Sequence, residues 1–230
     1  DLPRLVRTLL LNLVILPFRP RRSARAYRKI WLPEGSPLMI HSQALAEGLQ
    51  TELGVRYRVA LGMRYRFPTI ASAVEELVGA DCGHIVVGPL FPQYSSAATG
   101  SAVEKALEVI GRLTNLPTVA TVGPFYDAPG FVEAVAVVAR PVLDEFRPDH
   151  VLFSYHGLPV QQIRDADRTG SWCLADVACC SRIVGPSQSC YRAQCFATTR
   201  ALASRLGLSG GAFDTSFQSR LAARKCTAAT

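Results

Sequence analysis

Short apolar runs alternate along this chain with segments of helical periodicity, and that alternation narrows the fold more than any other feature. Residues 84–88 (His-Ile-Val-Val-Gly), 116–122 and 150–154 (His-Val-Leu-Phe-Ser) are too short for buried helices and read as buried strands. Helical patterns cover 69–78, 99–113, 130–145 and 195–206, the last stopped by Gly207. Residues 55–63 and 212–218 read as two further strands. Near-continuous apolar strands separated by helices imply an α/β fold, with a parallel sheet covered on both faces and right-handed crossovers. No internal repeat interrupts the pattern.

The 230 residues suffice for one large domain or two small ones, and a 49% hydrophobic content supplies a sizeable core. The net charge of +7 is concentrated locally: Arg19, Arg21, Arg22, Arg25, Arg28 and Lys29 lie within eleven residues. That run reads either as a solvated face or as a cationic lip for carboxylates or lipid phosphates; nucleic acid is not expected as a partner. Residues 9–18 are nearly all apolar but span about half of what a bilayer needs. Pro17, Pro20 and the arginines that follow fit a signal peptide poorly, and an amphipathic helix on a core or a membrane surface fits better. The tail at 222–230 has no apolar periodicity and is expected to be disordered.

Five of the seven cysteines, Cys173, Cys179, Cys180, Cys190 and Cys195, fall within 23 residues that also hold Gly170, Gly185, Pro186 and several serines. Such a stretch is a loop. Structural disulfides would need an oxidising compartment, and free buried thiols suit a polar loop badly. A metal or iron–sulfur site accounts for the clustering best, because thiolates on a flexible loop can converge on one soft centre. The spacing is not the paired C-x2-C of a zinc ribbon. Adjacent cysteines seldom both ligate one centre without strain, so one of Cys179 and Cys180 is expected to be spare. Cys82 is expected in the core and Cys226 to have no role.

His156 follows a strand, sits beside Ser154 and Tyr155, and is closed by Gly157-Leu158-Pro159. Ligands of open α/β sheets bind at the C-terminal ends of strands. An imidazole there can accept a proton near neutral pH or meet a metal ion. The segment 89–95, Pro-Leu-Phe-Pro-Gln-Tyr-Ser, ends another strand in the same way. A large flat apolar ligand would need aromatic and methionine walls, for which Tyr27, Met63, Tyr65, Phe91 and Tyr94 are candidates. Arg25, Arg28 and Arg64 could receive carboxylates, as could the helix start at Gly100-Ser101. His41 is placed at a strand-to-helix junction, and His84 and His150 read as structural.

Six blocks, at 26–31 (Ala-Tyr-Arg-Lys-Ile-Trp), 35–38, 61–65, 89–95, 154–159 and 191–195 (Tyr-Arg-Ala-Gln-Cys), occur in the order found in the ferrochelatases, which insert ferrous iron into a porphyrin in heme synthesis. The chain resembles that family from residue 1 to about residue 221. The resemblance implies a chelatase-like α/β fold of two Rossmann-like halves with parallel sheets and the porphyrin in the cleft between them. Residues 1–150 would form the first half with a porphyrin-lip helix. Residues 151–221 would begin an incomplete second half with a cysteine-rich insertion at 170–195. His156 would be the metal-handling residue and take the pyrrole protons, with Tyr27, Ser36, Arg64, Tyr65, Tyr94 and Ser95 against the porphyrin. Protoporphyrin and coproporphyrin are both open as substrates.

Some members of that family carry a two-iron, two-sulfur (2Fe-2S) cluster, and one bacterial subgroup holds it in such an insertion. The implied ligands are Cys173, Cys180, Cys190 and Cys195, with Cys179 as alternate. Other members keep the Gln-Cys pair without a cluster, which sets Cys195 apart. The family's opening strand and its segment beyond Ser-Phe-Gln-Ser-Arg, including an acidic partner for the histidine, are not in the sequence, so a truncated chain is expected. A cobalt-type tetrapyrrole chelatase and a non-catalytic iron–sulfur fragment are the competing readings; the Arg64-Tyr65 and Tyr94-Ser95 blocks favour the ferrochelatase reading. A cytoplasmic location with peripheral membrane contact is expected.

Overall fold

The computed structural model describes Thr8, Asn12 and residues 24–218. The apolar segment at 9–18, Asn12 apart, and the tail at 222–230 lie outside the described residues. The elements run α1 Pro37–Leu53, α2 Ile70–Gly79, β1 His84–Val87, a π-helical turn Ser96–Gly100, α3 Ser101–Ile110, β2 Thr118–Thr121, α4 Pro129–Phe146, β3 Val151–His156, α5 Val160–Asp165, a 3-10 turn Gly185–Ser187, α6 Tyr191–Leu206 and β4 Phe213–Gln218. Packing separates two units, Asp1–Gly83 and His84–Thr230.

In the first unit the helix starts follow from local chemistry. Ser36 caps α1 by accepting the Met39 N–H at 3.1 Å, and Pro37 occupies the first helical position, where its missing N–H costs nothing. Thr69 caps α2 in the same way through the Ser72 N–H at 3.0 Å. His41 therefore lies inside α1, past the cap, and not at a strand-to-helix junction. Gly62 passes so close to α2 that a Cβ there would lie 3.1 Å from the Ile70 Cα, tighter than ordinary packing.

The strand expected at 55–63 does not form. Only Met63 makes a bridge, to Thr69. The Gln50 side chain occupies the backbone groups a neighbouring strand would have taken: its Nε2 donates to the Gly54 and Tyr57 carbonyls at 3.2 and 3.0 Å, and its Oε1 accepts the Val59 N–H at 2.9 Å. A β-prone pattern becomes a strand only where an edge is available to pair with it.

The second unit holds two parallel pairs. β1 pairs with β2 from His84↔Thr118 to Val87↔Thr121, and β3 pairs with β4 from Val151↔Phe213 to His156↔Gln218. Each pair is joined through a helix, α3 or α6, as a parallel connection requires. Four of the expected strands and all four expected helices are present within a few residues of their reading. The expectation of sheets covered on both faces is not met among the described residues. Along β3, Val151, Phe153 and Tyr155 are half-buried, whereas Leu152, Ser154 and His156 are exposed. The half-buried side is an aromatic seam: Phe153 meets Phe213 and Phe196 meets Phe217 edge to face, with centroids 5.9 and 6.0 Å apart.

α6 is the buried spine of this unit. Ala193, Gln194, Cys195, Ala197, Thr198, Thr199, Leu202 and Ala203 are all buried, and Gly207 ends the helix in the left-handed conformation at φ 74°. α4 packs against it, burying Val132 and Ala136, and Arg205 on α6 forks onto the Glu133 carboxylate with its Nη2 at 2.7 Å from Oε1. The buried Gln194, Thr198 and Thr199 of α6 are tolerated because each has a hydrogen-bond partner.

Candidate functional site

His156 is the last residue of β3, with its side chain exposed. Its backbone is held from both sides. The adjacent Gly157 N–H donates to the Gln218 carbonyl at 2.7 Å, and the His156 N–H donates to the Tyr191 hydroxyl at the start of α6. The Tyr191 phenol also neighbours the Cys195 thiol. Burial pushes the Tyr191 phenol up from its ordinary range, and pushes the Cys195 thiol up to about 12. Tyr155, on the inner side of β3, is pushed up to about 12 by burial; its hydroxyl lies 3.0 Å from Thr199 Oγ1.

The loop carrying Tyr94 and Ser95 ends β1 and is clamped by α6. The Tyr94 N–H donates to Gln194 Oε1 at 2.6 Å, and Gln93 Nε2 donates to Thr198 Oγ1 at 2.9 Å. Ser95 is buried and caps the π-helical turn, accepting the Ala98 N–H at 3.2 Å. That turn displaces the start expected for α3 at residue 99, and single π turns recur at functional sites. A cavity of about 130 Å³ opens between this loop and the cysteine-rich segment, lined by Tyr94, Ser95, Leu158, Gln162, Ser189 and Tyr191 among others.

The remaining sequence candidates lie in the first unit. Tyr27 and Tyr65 are exposed, and the Arg64 guanidinium stacks 4.9 Å from the Tyr65 ring centroid. Both belong to a loop pinched at its base by Met63 N–H donating to the Pro68 carbonyl at 2.7 Å. Ser36 is the cap of α1.

Four of the five clustered cysteines converge. Cys179, Cys180 and Cys190 are buried in one apolar nest with Ile163 and Ala193, flanked by Cys173 and Trp172. The Cys179 and Cys180 sulfurs are 3.7 Å apart. Two thiolates on a tetrahedral ion with bonds of about 2.3 Å would stand at nearly this spacing, so adjacency does not force either one out. The neighbouring Cys180 and Cys190 thiols act on each other, which holds Cys180 above and Cys190 below the ordinary thiol range. Backbone N–H groups of Ala193 and Arg192, at the start of α6, add to the thiolate bias of Cys190. Burial, with the charges of Cys179 and Cys180, raises Cys173. Arg192 Nη1 lies 3.4 Å from the Cys180 sulfur. Cys195 sits five residues beyond Cys190 on α6, one helical turn after Tyr191. Among the described residues no three His, Cys, Asp or Glu side chains stand in ready-made metal-ligand geometry.

Asp167 organises the entry to this segment and was not singled out in the sequence. Its carboxylate accepts the Thr169 hydroxyl at 2.7 Å, the Thr169 N–H at 2.9 Å and the Trp172 and Cys173 N–H groups at 2.8 Å each. The Thr169 hydroxyl and then the Cys173 N–H hold its carboxyl down at about 2. Gln194 was read only as part of a sequence block. The signal that could have marked both is a polar side chain placed among buried positions.

A family model described as Ferrochelatase matches residues 1–226. A ferrochelatase of Coxiella burnetii is 41% identical over 225 residues, which cover 98% of this chain and 62% of that protein. A ferrochelatase of Legionella pneumophila (strain Paris) is 45% identical over 225 residues, covering 96% of this chain and 64% of that protein. The chain thus spans a little over three-fifths of the length of the curated relatives it matches. Both the match along nearly all of the sequence and the parallel α/β architecture place it: the chain belongs to the ferrochelatase family.

Proposed function

We propose that the whole protein inserts ferrous iron into a porphyrin in heme biosynthesis, as the names of its relatives suggest, with His156 as the base. The observation that carries this reading is the placement of His156: an exposed imidazole at the C-terminal end of a parallel strand, on a backbone held by Gln218 and Tyr191. Iron is the substrate and replaces two pyrrole protons, so the reaction needs a group that can accept a proton near neutral pH beside the ring nitrogens. Tyr94 and Ser95, with Tyr27, Ser36, Arg64 and Tyr65, contact the porphyrin. Ser36 and Ser95 already accept backbone N–H groups, so what each offers the porphyrin is its hydroxyl proton. The Arg64 guanidinium suits a propionate carboxylate. The two halves of the cleft are residues 1–150 and the region from 151 onward, in a cytoplasmic enzyme that touches the membrane surface. In the full-length protein His156→Ala abolishes iron insertion, followed by the absorbance change of the porphyrin; an unchanged rate removes His156 from the role.

We further infer that the cysteine-rich segment holds a two-iron, two-sulfur cluster on Cys173, Cys179, Cys180 and Cys190. The donor set fits: four thiols share one nest, two sulfurs stand 3.7 Å apart, and Cys190 is biased toward thiolate. When bound, such a cluster supplies one-electron redox chemistry and a cross-link across the loop. Cys195, engaged by Tyr191, is left out of the set.

A further inference from the structure

The Gln194 side chain is fully buried on α6, and both ends of its amide are engaged away from its own helix. Its Oε1 accepts the Tyr94 N–H at 2.6 Å, and its Nε2 donates to the Gln188 carbonyl at 2.7 Å. Tyr94 belongs to the loop that ends β1. Gln188 lies in the cysteine-rich segment, two residues before Cys190. A buried primary amide is costly unless its donor and acceptor are both satisfied, so the position of each loop is tied to that of the other through one rigid planar group.

Neighbouring contacts reinforce the tie. One turn along α6, Thr198 Oγ1 accepts from Gln93 Nε2 at 2.9 Å and donates to the Tyr126 carbonyl at 2.7 Å, so two consecutive loop residues are held by positions i and i+4 of one helix. The helix itself starts from the cysteine-rich segment, with Cys190 as its N-cap and the Gln194 N–H donating to the Cys190 carbonyl at 3.0 Å. The cavity of about 130 Å³ has Tyr94 and Ser95 on one wall and Ser189 on another, so moving the segment moves a wall of the cavity.

We propose that Gln194 is a positioning residue that couples the cysteine-rich segment to Tyr94, setting the Tyr94 loop for porphyrin according to the state of the thiol cluster. The proposal rests on reading Tyr94 as a porphyrin contact. It assigns the cysteines a purpose that needs no redox step at the porphyrin: they fix the end of the segment against which Gln194 is braced.

Hydrogen exchange at the Tyr94 amide, read by NMR on the 230-residue chain, tests the coupling, with the Gly157 amide as internal control because its bond to Gln218 does not pass through Gln194. Gln194→Leu raises Tyr94 exchange about tenfold relative to Gly157, since local opening then costs one bond less. Gln194→Glu, which keeps an acceptor for Tyr94 but loses the donor to Gln188, preserves most of the Tyr94 protection. Cys190→Ser raises Tyr94 exchange in the wild-type background and changes it little in either Gln194 variant. Protoporphyrin IX affinity, by fluorescence quenching, falls about fivefold in Gln194→Leu, the effect of one lost net hydrogen bond. Tyr94 exchange that is indifferent to Cys190→Ser in the wild-type background overturns the coupling, and this comparison stands even if Gln194→Leu does not fold. If the full-length protein binds protoporphyrin IX equally well with and without Tyr94→Ala, the reading of Tyr94 as a porphyrin contact fails, while the exchange data still decide the coupling.

Discussion

The phenol oxygen of Tyr191 accepts the backbone N–H of His156, and the same phenol neighbours the Cys195 thiol. The first residue of α6 thus fixes the backbone of the last residue of β3, whose imidazole is exposed. In the full-length protein Tyr191→Phe keeps the ring and removes the bond. A loss of about 1 kcal/mol in stability is expected by denaturant unfolding. The turnover number for iron insertion should fall about fivefold through misplacement of His156, with porphyrin affinity unchanged. Equal turnover in both proteins would show that the bond serves only the fold.

Alkaline stability should report on Tyr155. Burial holds its phenol up at about 12, so the folded chain keeps the proton that the unfolded chain releases near 10. The stabilisation is complete below pH 10 and is lost as pH rises toward 12. Urea midpoints measured across that range should fall for the wild type and fall less for Tyr155→Phe, which has no proton to lose.

Asp167 gives the mirror case in acid. Its carboxyl is held down at about 2 by the hydroxyl and N–H groups it accepts, so its contribution is present above an ordinary value of about 4 and lost as pH falls through about 2. At neutral pH, Asp167→Ala frees the Thr169, Trp172 and Cys173 N–H groups together. Limited proteolysis should then cut within residues 170–190 at least about tenfold faster, while α4 and α6 stay protected. Uniform cleavage along the chain would argue that Asp167 supports the whole unit.

Cysteine variants separate the ligand sets. After anaerobic purification, Cys180→Ser and Cys190→Ser should abolish the visible absorbance of an iron–sulfur centre, and Cys195→Ser should leave it nearly intact. Chelation of the iron should lower the thermal midpoint of wild type and of Cys195→Ser alike, as removal of a ligand that binds only the folded state must. Loss of absorbance in Cys195→Ser would return that residue to the ligand set.

The α/β class, the parallel pairing, the helix stop at Gly207 and the family blocks were legible in the sequence because they rest on local periodicity and turn chemistry. His156 was legible for the same reason: a polar residue closing an apolar run. The strand read at 55–63 shows the limit. Its pattern is sound, but pairing needs a partner edge, and the Gln50 amide filled the backbone groups instead. The cysteines were legible as a cluster, but the 3.7 Å approach of the Cys179 and Cys180 sulfurs was not, because adjacency in sequence says nothing about whether two sulfurs can face one point.

Local propensity and spacing, properties of neighbouring residues, marked most of the elements that form and the residues that could carry chemistry, and misread the segment at 55–63. Only the tertiary structure decided that Gln194 spans from Gln188 to Tyr94, that Tyr191 reaches from His156 to Cys195, and that Asp167 gathers the start of the cysteine-rich segment. Those links join residues as far as 100 positions apart, as Tyr94 and Gln194 are. No pattern along a chain encodes such a pairing, because a buried polar group takes whichever partner the packed fold brings within 3 Å.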